Sequence, residues 1–322
     1  MIYYAKYIFI LLILFVMGAI YEKYKKGVEK EDMMNNYDLI QKYLLNESTL
    51  AKSDKPILWI HVTLETNARW WGHFASRNST CLNQPYQYLT IKSIIDKCGD
   101  SFNVCLLDDK SFNSIIPGWS TKIQNLPNPL RPHLRQLAMT KLLYNYGGMT
   151  IPSSFICFND LKPLYNESIN SGCMFVSEMP SKSNVAQLTE FFPSNLIMGC
   201  EKECKIMNDY TLYLEQLVSN DYTNEMDFTG ETDKWLYKEI LNKNVMIVDG
   251  KKFGTKTVNN EPVIIDELIS DTEINIDKST YGVYIPQNEI LQRTNFQWFA
   301  RQSPEQVLES NTMIGKYILL ST

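Results

Sequence analysis

Four cationic side chains fall within one short stretch near the middle of the chain, a spacing that could bring positive charge to one site. They are Arg131, His133, Arg135 and Lys141. Arg131 and Arg135 are four residues apart, so a helix would place both on one face. Positive charge held there can neutralise a departing phosphate or diphosphate group. Solvated charges on an exposed helix have the same spacing, so both interpretations stay open.

Two adjacent carboxylates, Asp108 and Asp109, follow an apolar run over residues 102–107 that predicts a buried strand. Carboxylates at the carboxyl end of a sheet strand lie where α/β proteins bind their ligands, and this pair could contact a ribose or a metal ion. Asp is also favoured in tight turns. A ligand-binding role and a turn role therefore both stay open for the pair.

Hydrophobic spacing predicts a helix that would position the cationic residues. Its apolar side chains recur at helical intervals and are Leu134, Leu137, Ala138 and Leu142. Pro132 fits the first turn, where a missing N–H is no loss. Gly147 and Gly148 would end the helix, because glycine takes the left-handed cap conformation without a Cβ penalty.

Short extended segments flank this helix in the sequence. Residues 149–151 are too few for another helix and are predicted to form a strand, which leads into a Pro-Ser-Ser turn. Residues 57–64 are rich in β-branched and aromatic side chains and predict a buried first strand. His61 lies inside that strand, and the sequence favours a core histidine with satisfied hydrogen bonds over a ligand at this position.

This order of elements resembles the sugar-binding region of a group of glycosyltransferases that includes initiation-type mannosyltransferases and capsular polysaccharide synthesis proteins. In that group a helix carrying an Asp and an Arg runs into Tyr-Gly-Gly and a short strand. An Asp-x-Asp or Asp-x-Thr turn follows, and its carboxylates hold a divalent metal ion on the diphosphate of a nucleotide sugar. The frame is present here as Tyr146-Gly147-Gly148 before the predicted strand. The resemblance implies an α/β fold with a GT-A-like (Rossmann-like) nucleotide-sugar transferase core.

The charged residues of that frame are absent from this chain. Uncharged Gln136 and Met139 stand where the group has its helical Asp and Arg. Pro152 and Ser154 occupy the two metal-binding positions of the turn, so the Asp-x-Asp motif is degenerate. Because Mn²⁺ and Mg²⁺ prefer hard oxygen ligands, the sequence predicts neither ion as a cofactor and assigns no metal ligand. A metal site rebuilt in space from other Asp side chains stays open.

The resemblance also gives candidate roles to polar residues, although it singles out no catalytic residue. Side chains near the predicted helix, the turn and the second strand become donor-binding candidates: Asp108, Asp109, Arg131, His133, Arg135, Ser153 and Ser154. Carboxylates in a later strand and in an acidic segment become acceptor-side candidates: Glu178, Asp227, Glu231 and Asp233. A helix that begins with Thr232 as its cap would explain the acidic segment as well, since negative charge is favoured at a helix amino terminus.

Composition limits the classes of function. A net charge of −5 over 322 residues gives no general attraction to nucleic acid, so no nucleic-acid partner is predicted. Seven cysteines occur without CxxC spacing or a nearby His to complete a zinc set, which favours buried thiols, with one or two disulfides as the alternative. The many Asn, Lys, Ile and Tyr residues are typical of AT-rich coding, as in a large DNA virus.

The amino-terminal segment is strongly apolar. Residues 1–22 approach the roughly 20 residues that span a bilayer and have aromatic side chains at both ends, so they predict a transmembrane signal-anchor. A cleaved signal peptide and a buried helix are the alternatives. Residues 23–54 are predicted to form a polar stem before a folded domain at 55–322. Lysines after the segment favour a cytosolic domain and Asn-x-Ser/Thr sequons a lumenal one, so a single-pass membrane protein of undecided orientation is expected.

Two functions with one fold follow from the resemblance, and a third interpretation does without it. The first is a membrane-anchored glycosyltransferase-like protein that transfers a sugar from a nucleotide sugar to a glycan or protein acceptor, with cations in place of the metal ion. The second is a catalytically inactive binding or assembly module of the same fold, such as a viral virion or membrane component. The third is an unrelated membrane-anchored α/β protein. The sequence leaves the donor, the acceptor and the stereochemistry open.

Overall fold

A computed structural model gives the fold of this protein and describes residues 18, 55–63, 84–171, 174–180, 191–220 and 225–321. The strands among them are β1 (Ile57–His61), β2 (Asn103–Leu107), β3 (Gly148–Pro152), β4 (Phe155–Cys157), β5 (Met174–Pro180), β6 (Phe191–Cys200), β7 (Met246–Val248) and β8 (Gly282–Tyr284). The α-helices are α1 (Gln87–Cys98), α2 (Ser111–Ile115), α3 (Leu130–Tyr146), α4 (Lys162–Ser171), α5 (Lys205–Ser219), α6 (Glu225–Leu241), α7 (Ile265–Ile269), α8 (Gln287–Gln292), α9 (Pro304–Glu309) and α10 (Met313–Ser321). Short 3-10 helices cover Ile123–Asn125, Gly250–Phe253, Thr294–Phe296 and Phe299–Arg301.

Six of the described strands form a central sheet in the order β2-β1-β3-β6-β5-β7. β1 pairs in parallel with both β2 and β3, and β5 pairs in parallel with β7. β6 runs antiparallel to its neighbours β3 and β5, so β5 has the same direction as β3. Within this sheet, the carboxyl ends of β1, β2, β3, β5 and β7 therefore meet at one edge, which we call the carboxyl edge. This mixed α/β architecture with a parallel-rich sheet confirms the predicted fold class at that level.

The chain winds in two directions from the centre of the sheet. From β1 it passes through α1 to β2 on one side, and from β2 it passes through α2 and α3 to β3 on the other side of β1. Because crossovers between parallel strands are right-handed in nearly all proteins, we expect α1 and α3 to lie on opposite faces of the sheet. The connections thus diverge between the neighbouring strands β1 and β3. In open α/β sheets, ligands bind at the carboxyl ends of the strands beside such a switch point.

β1 lies in the interior of the sheet because its side chains are apolar on both faces. Leu58, Trp59 and Ile60 are fully buried. A parallel strand that is covered by helices on both faces has this continuous apolar character. The indole Nε1 of Trp59 donates a hydrogen bond to the carbonyl oxygen of Gly147 at 2.9 Å, which ties β1 to the end of α3.

The predicted central helix is confirmed as α3, with Leu137 and Leu142 in the core. It ends at Gly147, where φ is 70°, and Gly148 begins β3 with a φ of 96°. Both angles lie in the left-handed region that glycine adopts without a Cβ penalty. A Cβ atom on Gly148 would also collide with the carbonyl oxygen of Ile57. The paired glycines therefore let β3 run close beside β1.

A second layer is built by β4, β8 and the carboxy-terminal helices. β4 and β8 pair antiparallel as a small sheet of their own. β4 packs against α1, and α10 packs against both of them as well as against α7 and α9. An apolar cluster fills this layer and includes Ile265, Ile285, Phe299, Ile314 and Ile318. The carboxy-terminal residues thereby cover α1 and β4.

The predicted membrane localisation is wrong. None of the helices in the described part of the chain is long and apolar enough to cross a bilayer. α3 and α6 have 17 residues each, or about 26 Å, against a hydrocarbon core of about 30 Å. The segment 1–22, on which the prediction depended, lies outside the described residues apart from Gly18, and so does the predicted stem 23–54. The described residues from 55 onwards belong to one compact unit.

We expect Gly148→Ala to lower the free energy of unfolding by about 3 kcal/mol or more, because the new Cβ meets backbone at Ile57 in addition to the φ strain. Gly118→Ala is the matched control, since Gly118 has a φ of 73° but nothing within 4 Å of an added Cβ. The free energy of unfolding of Gly118→Ala should fall by only about 1 kcal/mol, which is the effect of φ strain alone. Urea unfolding followed by tryptophan fluorescence measures both. Equal losses in the two variants would contradict the close-approach argument.

Candidate functional site at the carboxyl edge

Three polar side chains meet at the carboxyl edge, beside the switch point. His61 ends β1, Asp109 follows the end of β2, and Arg135 lies in the second turn of α3. His61 Nε2 and Asp109 Oδ1 are 3.1 Å apart. Arg135 donates through Nε to Asp109 Oδ1 and through Nη2 to Asp109 Oδ2, both at 2.8 Å. We call this group the His61–Asp109–Arg135 cluster.

Burial strengthens the electrostatic contacts inside this cluster. Its three side chains expose only 12–13% of their surface, and His61 stacks on Phe112 with ring centroids 5.2 Å apart. Burial alone would raise the pKa of Asp109, but hydrogen bonds from His61 and Arg135, with attraction to both, hold it well below its usual range. The carboxylate is therefore ionised at neutral pH, and its two-point contact fixes the orientation of Arg135.

The neighbouring candidates Asp108 and Arg131 hold the local backbone in place. Asp108 Oδ1 accepts hydrogen bonds from the Ser111 backbone N–H at 2.8 Å and from Ser111 Oγ at 2.6 Å, which fastens the start of α2. Arg131 Nε donates to the carbonyl oxygen of Leu126 at 2.9 Å, which fastens the loop before α3. Of the two adjacent carboxylates, Asp108 thus makes the turn contacts and Asp109 joins the cluster.

His133 is buried near the start of α3 and stacks on Phe228 of α6, with ring centroids 3.6 Å apart. Burial lowers the pKa of His133 to about 4, so the ring is neutral at pH 7. Its Nε2 atom has no hydrogen-bond partner within the described residues. Lys141 pairs with Glu215 of α5 at 2.5 Å. Of the four cationic residues grouped in the sequence, the structure brings Arg135 into the cluster.

The turn after β3 faces the interior of the fold. Ser153 and Ser154 expose 1% and 0% of their surface. Thr90 Oγ1 donates to the Ser153 carbonyl oxygen at 2.5 Å, and Ser153 Oγ donates to Gln87 Oε1 at 3.1 Å. The Ile285 backbone N–H donates to the Ser154 carbonyl oxygen at 2.9 Å, while Ser154 Oγ has no hydrogen-bond partner in the described part of the chain. The turn is therefore packed beneath α1 and the segment before α8.

Glu178 belongs to a second charged group at the carboxyl edge. Lys256 Nζ pairs with Glu178 Oε2 and lies 3.8 Å from Asp249 Oδ1. The Gly250 backbone N–H donates to Glu178 Oε2 at 3.0 Å. Lys256 is 8% exposed, and its Nζ lies 4.4 Å from the ring centroid of Phe191. These contacts hold the loop after β7 against β5.

Three acceptor-side candidates lie on α6 in three different environments. Asp227 is exposed in the first turn. Glu231 pairs with Lys234 at 2.6 Å on the surface. Asp233 is only 6% exposed, and burial raises its pKa to about 7. Asp233 can therefore exchange a proton near neutral pH.

The expected helix cap at Thr232 is wrong. α6 begins at Glu225, so Thr232 lies well inside it and donates through Oγ1 to the carbonyl oxygen of Thr229 at 2.8 Å. Gly230, which favours a break in the sequence pattern, is buried within the helix. Packing of α6 against β6 outweighs the weak helix propensity of Thr229 and Gly230.

The geometry allows binding of hydroxyl and phosphate groups but shows no metal centre. Within the residues that the structure describes, no three His, Cys, Asp or Glu side chains converge on a point that could hold a metal ion. A fixed, ionised carboxylate such as that of Asp109 can accept hydrogen bonds from hydroxyl groups. The guanidinium of Arg135 beside it attracts phosphate oxygens.

Solved structures that are similar to this chain are glycosyltransferases. GlyE of Streptococcus pneumoniae TIGR4 is 9% identical, with 62% of this chain and 46% of GlyE covered and a TM-score of 0.37. Mouse xyloside xylosyltransferase 1 in its apo form is 8% identical, with 63% and 87% covered and a TM-score of 0.38. The galactosyltransferase LgtC, in complex with donor and acceptor sugar analogs, is 10% identical, with 79% and 99% covered and a TM-score of 0.37.

TM-scores below 0.5 with identities near 10% do not establish a shared fold, so the architecture above rests on the strands and helices themselves. This chain spans less than half the length of GlyE. No protein-family model matches the sequence, and no curated protein matches it.

Sequence patterns do not reveal two residues of the carboxyl edge, His61 and Lys256. His61 lies in an apolar strand, which favours a core role, and its contact with Asp109 joins residues 48 apart. Lys256 lies 78 residues from Glu178. The one usable signal for His61 is its place at the end of a buried strand, where ligands bind in α/β folds.

We expect Asp109→Asn to lower the free energy of unfolding at pH 7 by about 3 kcal/mol, because it removes the negative charge that is paired with the buried Arg135 guanidinium. The depressed pKa of Asp109 gives stability that is present above the unfolded-state pKa near 4 and is lost as the pH falls towards the folded-state pKa. The difference from wild type should therefore shrink below pH 4. Urea unfolding at several pH values measures it.

The matched control is Asp266→Asn, which removes a carboxylate paired with Arg293 at 2.8 Å on the surface. Both of these side chains are about half exposed, so the change should alter stability by less than about 1 kcal/mol. A pH-independent loss in Asp109→Asn would show that packing, and not charge pairing, causes the effect.

Proposed function

We propose that this chain binds a nucleotide sugar at the carboxyl edge and transfers the sugar to a glycan or protein acceptor without a divalent metal ion. The observation that carries the proposal is the His61–Asp109–Arg135 cluster, which lies beside the switch point where α/β folds bind their ligands. The resemblance of Tyr146-Gly147-Gly148 and its flanking elements to a glycosyltransferase sugar-binding region supports the choice of ligand.

On the donor side, Asp109 and Arg135 have complementary tasks. Asp109 is ionised and fixed, so its oxygens can accept hydrogen bonds from ribose or sugar hydroxyl groups. Arg135 provides a permanent positive charge for the diphosphate, whose negative charge grows as the bond to the sugar breaks. Because Asp109 and Arg135 hold each other and His61 also contacts Asp109, little reorganisation accompanies the reaction.

A metal-free reaction fits the residues at the turn after β3. Pro152 and Ser154 lack the carboxylates that hold a metal in the resembling group. Ser153 and Ser154 are also packed against α1, which leaves the diphosphate charge to cationic side chains. His133 is neutral at pH 7 and is therefore not one of them, so Arg135 is the cation that we assign to this task.

On the acceptor side, Asp233 is our candidate for the general base. A carboxylate with a pKa near 7 can accept the proton of an attacking hydroxyl group at neutral pH. α6 carries Asp233, and Phe228 of the same helix stacks on His133 of α3, the helix that carries Arg135. This contact links the helices that hold the two proposed groups.

A catalytically inactive binding module of the same fold is the second candidate function. It is favoured by the two-point pairing of Arg135 with Asp109, which makes the ion pair a structural element in its own right. Such a module would bind a nucleotide sugar and release no nucleotide. Binding and turnover therefore have to be measured separately.

The test uses the full-length chain, with titration of UDP- and GDP-sugars by calorimetry in the presence of EDTA or Mn²⁺. We expect binding of at least one donor that EDTA leaves unchanged, and at least tenfold weaker binding in Arg135→Gln because a charge-assisted contact is lost. Arg293→Gln, which changes an exposed Arg directly after α8, should bind as wild type does. Binding that requires Mn²⁺, or no binding of any donor, would refute the proposal.

Turnover separates the two candidate functions. Release of UDP or GDP in the presence of oligosaccharide acceptors, reduced about 100-fold or more in Asp233→Asn with unchanged donor affinity, is expected of the transferase. Tight donor binding without nucleotide release over a broad set of acceptors favours the inactive module.

Asp233→Asn should also stabilise the protein at high pH. The folded-state pKa of about 7 exceeds the unfolded value of 3.8, so the free energy of unfolding of the wild type falls as the pH rises from about 4 to about 7. We expect the variant to be about 2 kcal/mol more stable than wild type at pH 8 and nearly equal to it at pH 4. Glu231→Gln, which changes a surface carboxylate on the same helix, is the matched control and should alter stability by less than about 1 kcal/mol.

A further inference from the structure

Two thiols from separate elements meet in the interior of the fold. Cys98 is the last residue of α1, and Cys157 is the last residue of β4. Their Sγ atoms are 3.8 Å apart although the residues are 59 positions apart in the chain. Both side chains are fully buried. The pair lies away from the charged groups of the carboxyl edge and has no part in the proposed transfer reaction.

Hydrogen bonds hold Cys157 in position. The Cys157 backbone N–H donates to Ser93 Oγ of α1 at 2.9 Å, and Cys157 Sγ donates to the carbonyl oxygen of Asn159 at 3.1 Å. β4 also packs along α1 as an element. The two sulfur atoms therefore face each other as a consequence of fixed backbone contacts, and not only of side-chain rotation.

The geometry points to a reversible disulfide between Cys98 and Cys157, formed when the protein meets a peroxide. A disulfide needs the sulfur atoms about 2.0 Å apart, and rotation of two side chains whose sulfurs already lie 3.8 Å apart can supply the remaining approach. Hydrogen peroxide is small enough to reach a buried thiol through local opening of the structure.

One hydrogen peroxide molecule oxidises the two thiols in two steps. The Cys98 thiolate attacks one peroxide oxygen, the O–O bond breaks, and Cys98 becomes a sulfenic acid while the other oxygen leaves as water. The sulfur of Cys157 then attacks the Cys98 sulfur, the S–S bond forms, and the sulfenic oxygen leaves as a second water with the Cys157 proton. Two thiols and one peroxide thus give one disulfide and two water molecules.

Local electrostatics decide which cysteine reacts first. The contact between the two sulfur atoms lowers the pKa of the Cys98 thiol, although burial opposes the shift. The same contact raises the pKa of the Cys157 thiol, and burial adds to that increase. Cys98 is therefore the better thiolate and the first to be oxidised, while Cys157 resolves the sulfenic acid.

Oxidation would fasten α1 to the strand that follows the buried turn. Gln87 and Thr90 at the start of α1 already hold Ser153, and Cys157 lies three residues beyond Ser154. A bond from the end of α1 to Cys157 closes a covalent loop around this turn. The disulfide should therefore stabilise the packing of α1, β4 and the turn as one unit.

The test is peroxide treatment of the reduced full-length chain, followed by thiol counting and peptide mapping under non-reducing conditions. We expect a cross-linked peptide pair that contains Cys98 and Cys157, the loss of two thiols, and reversal by dithiothreitol. The thermal midpoint should rise by about 5 to 10 °C on oxidation. Cys105→Ser is the matched control, because Cys105 is buried in β2 and burial raises its pKa to about 12, and it should keep the cross-link.

Cys98→Ser and Cys157→Ser should each lose the cross-link and the rise in the thermal midpoint. If either variant fails to fold, the peptide map of the wild-type protein decides by itself. A disulfide that joins any other cysteines, conversion of Cys98 to sulfinic acid with Cys157 still a thiol, or both thiols unchanged when other cysteines are oxidised would overturn the proposal.

Discussion

The close approach of β3 to β1 is the constraint on which the rest of the structure depends. Gly148 passes the carbonyl group of Ile57 with no room for a Cβ atom, so α3 can lead directly into the centre of the sheet. Because α3 ends where β3 begins, its start lies at the opposite, carboxyl edge. There Arg135 reaches Asp109 at the end of β2. The paired glycines thus determine both the strand order and the position of the cluster.

Charge at the carboxyl edge is paired within the protein. Asp109 contacts His61 and Arg135, and Glu178 contacts Lys256. Because an unpaired buried charge is strongly unfavourable, each group fixes the relative orientation of two elements: β2 with α3, and β5 with the loop after β7. A diphosphate that bound here would meet charges that are already oriented. In the proposed reaction the guanidinium of Arg135, held in a fixed orientation, would supply the positive charge that a metal ion otherwise supplies.

Local patterns were sufficient for α3, for the glycine turn and for the buried character of β1, because each depends on residues that are near one another in the chain. Contacts between distant residues have no such signal. Sequence alone favours a core role for His61, whose partner Asp109 follows a different strand. It also favours a cationic role for His133, which stacks on Phe228 and whose pKa is lowered by burial. Thr232 lies inside α6 and does not cap it, because the packing of α6 on β6 outweighs the low helix propensity of the residues around it.

Asp109 and Asp233 are both largely buried, and their neighbouring groups determine whether the net pKa of the carboxyl group is lowered or raised. Burial raises the pKa of Asp109 and of Asp233 alike. At Asp109 the hydrogen bonds and charge of His61 and Arg135 outweigh that effect, so the group stays ionised. At Asp233 burial prevails, and the group exchanges its proton near pH 7. Carboxylates whose pKa values are driven apart in this way are suited to different tasks in one reaction, one as a fixed negative charge and the other as a proton acceptor.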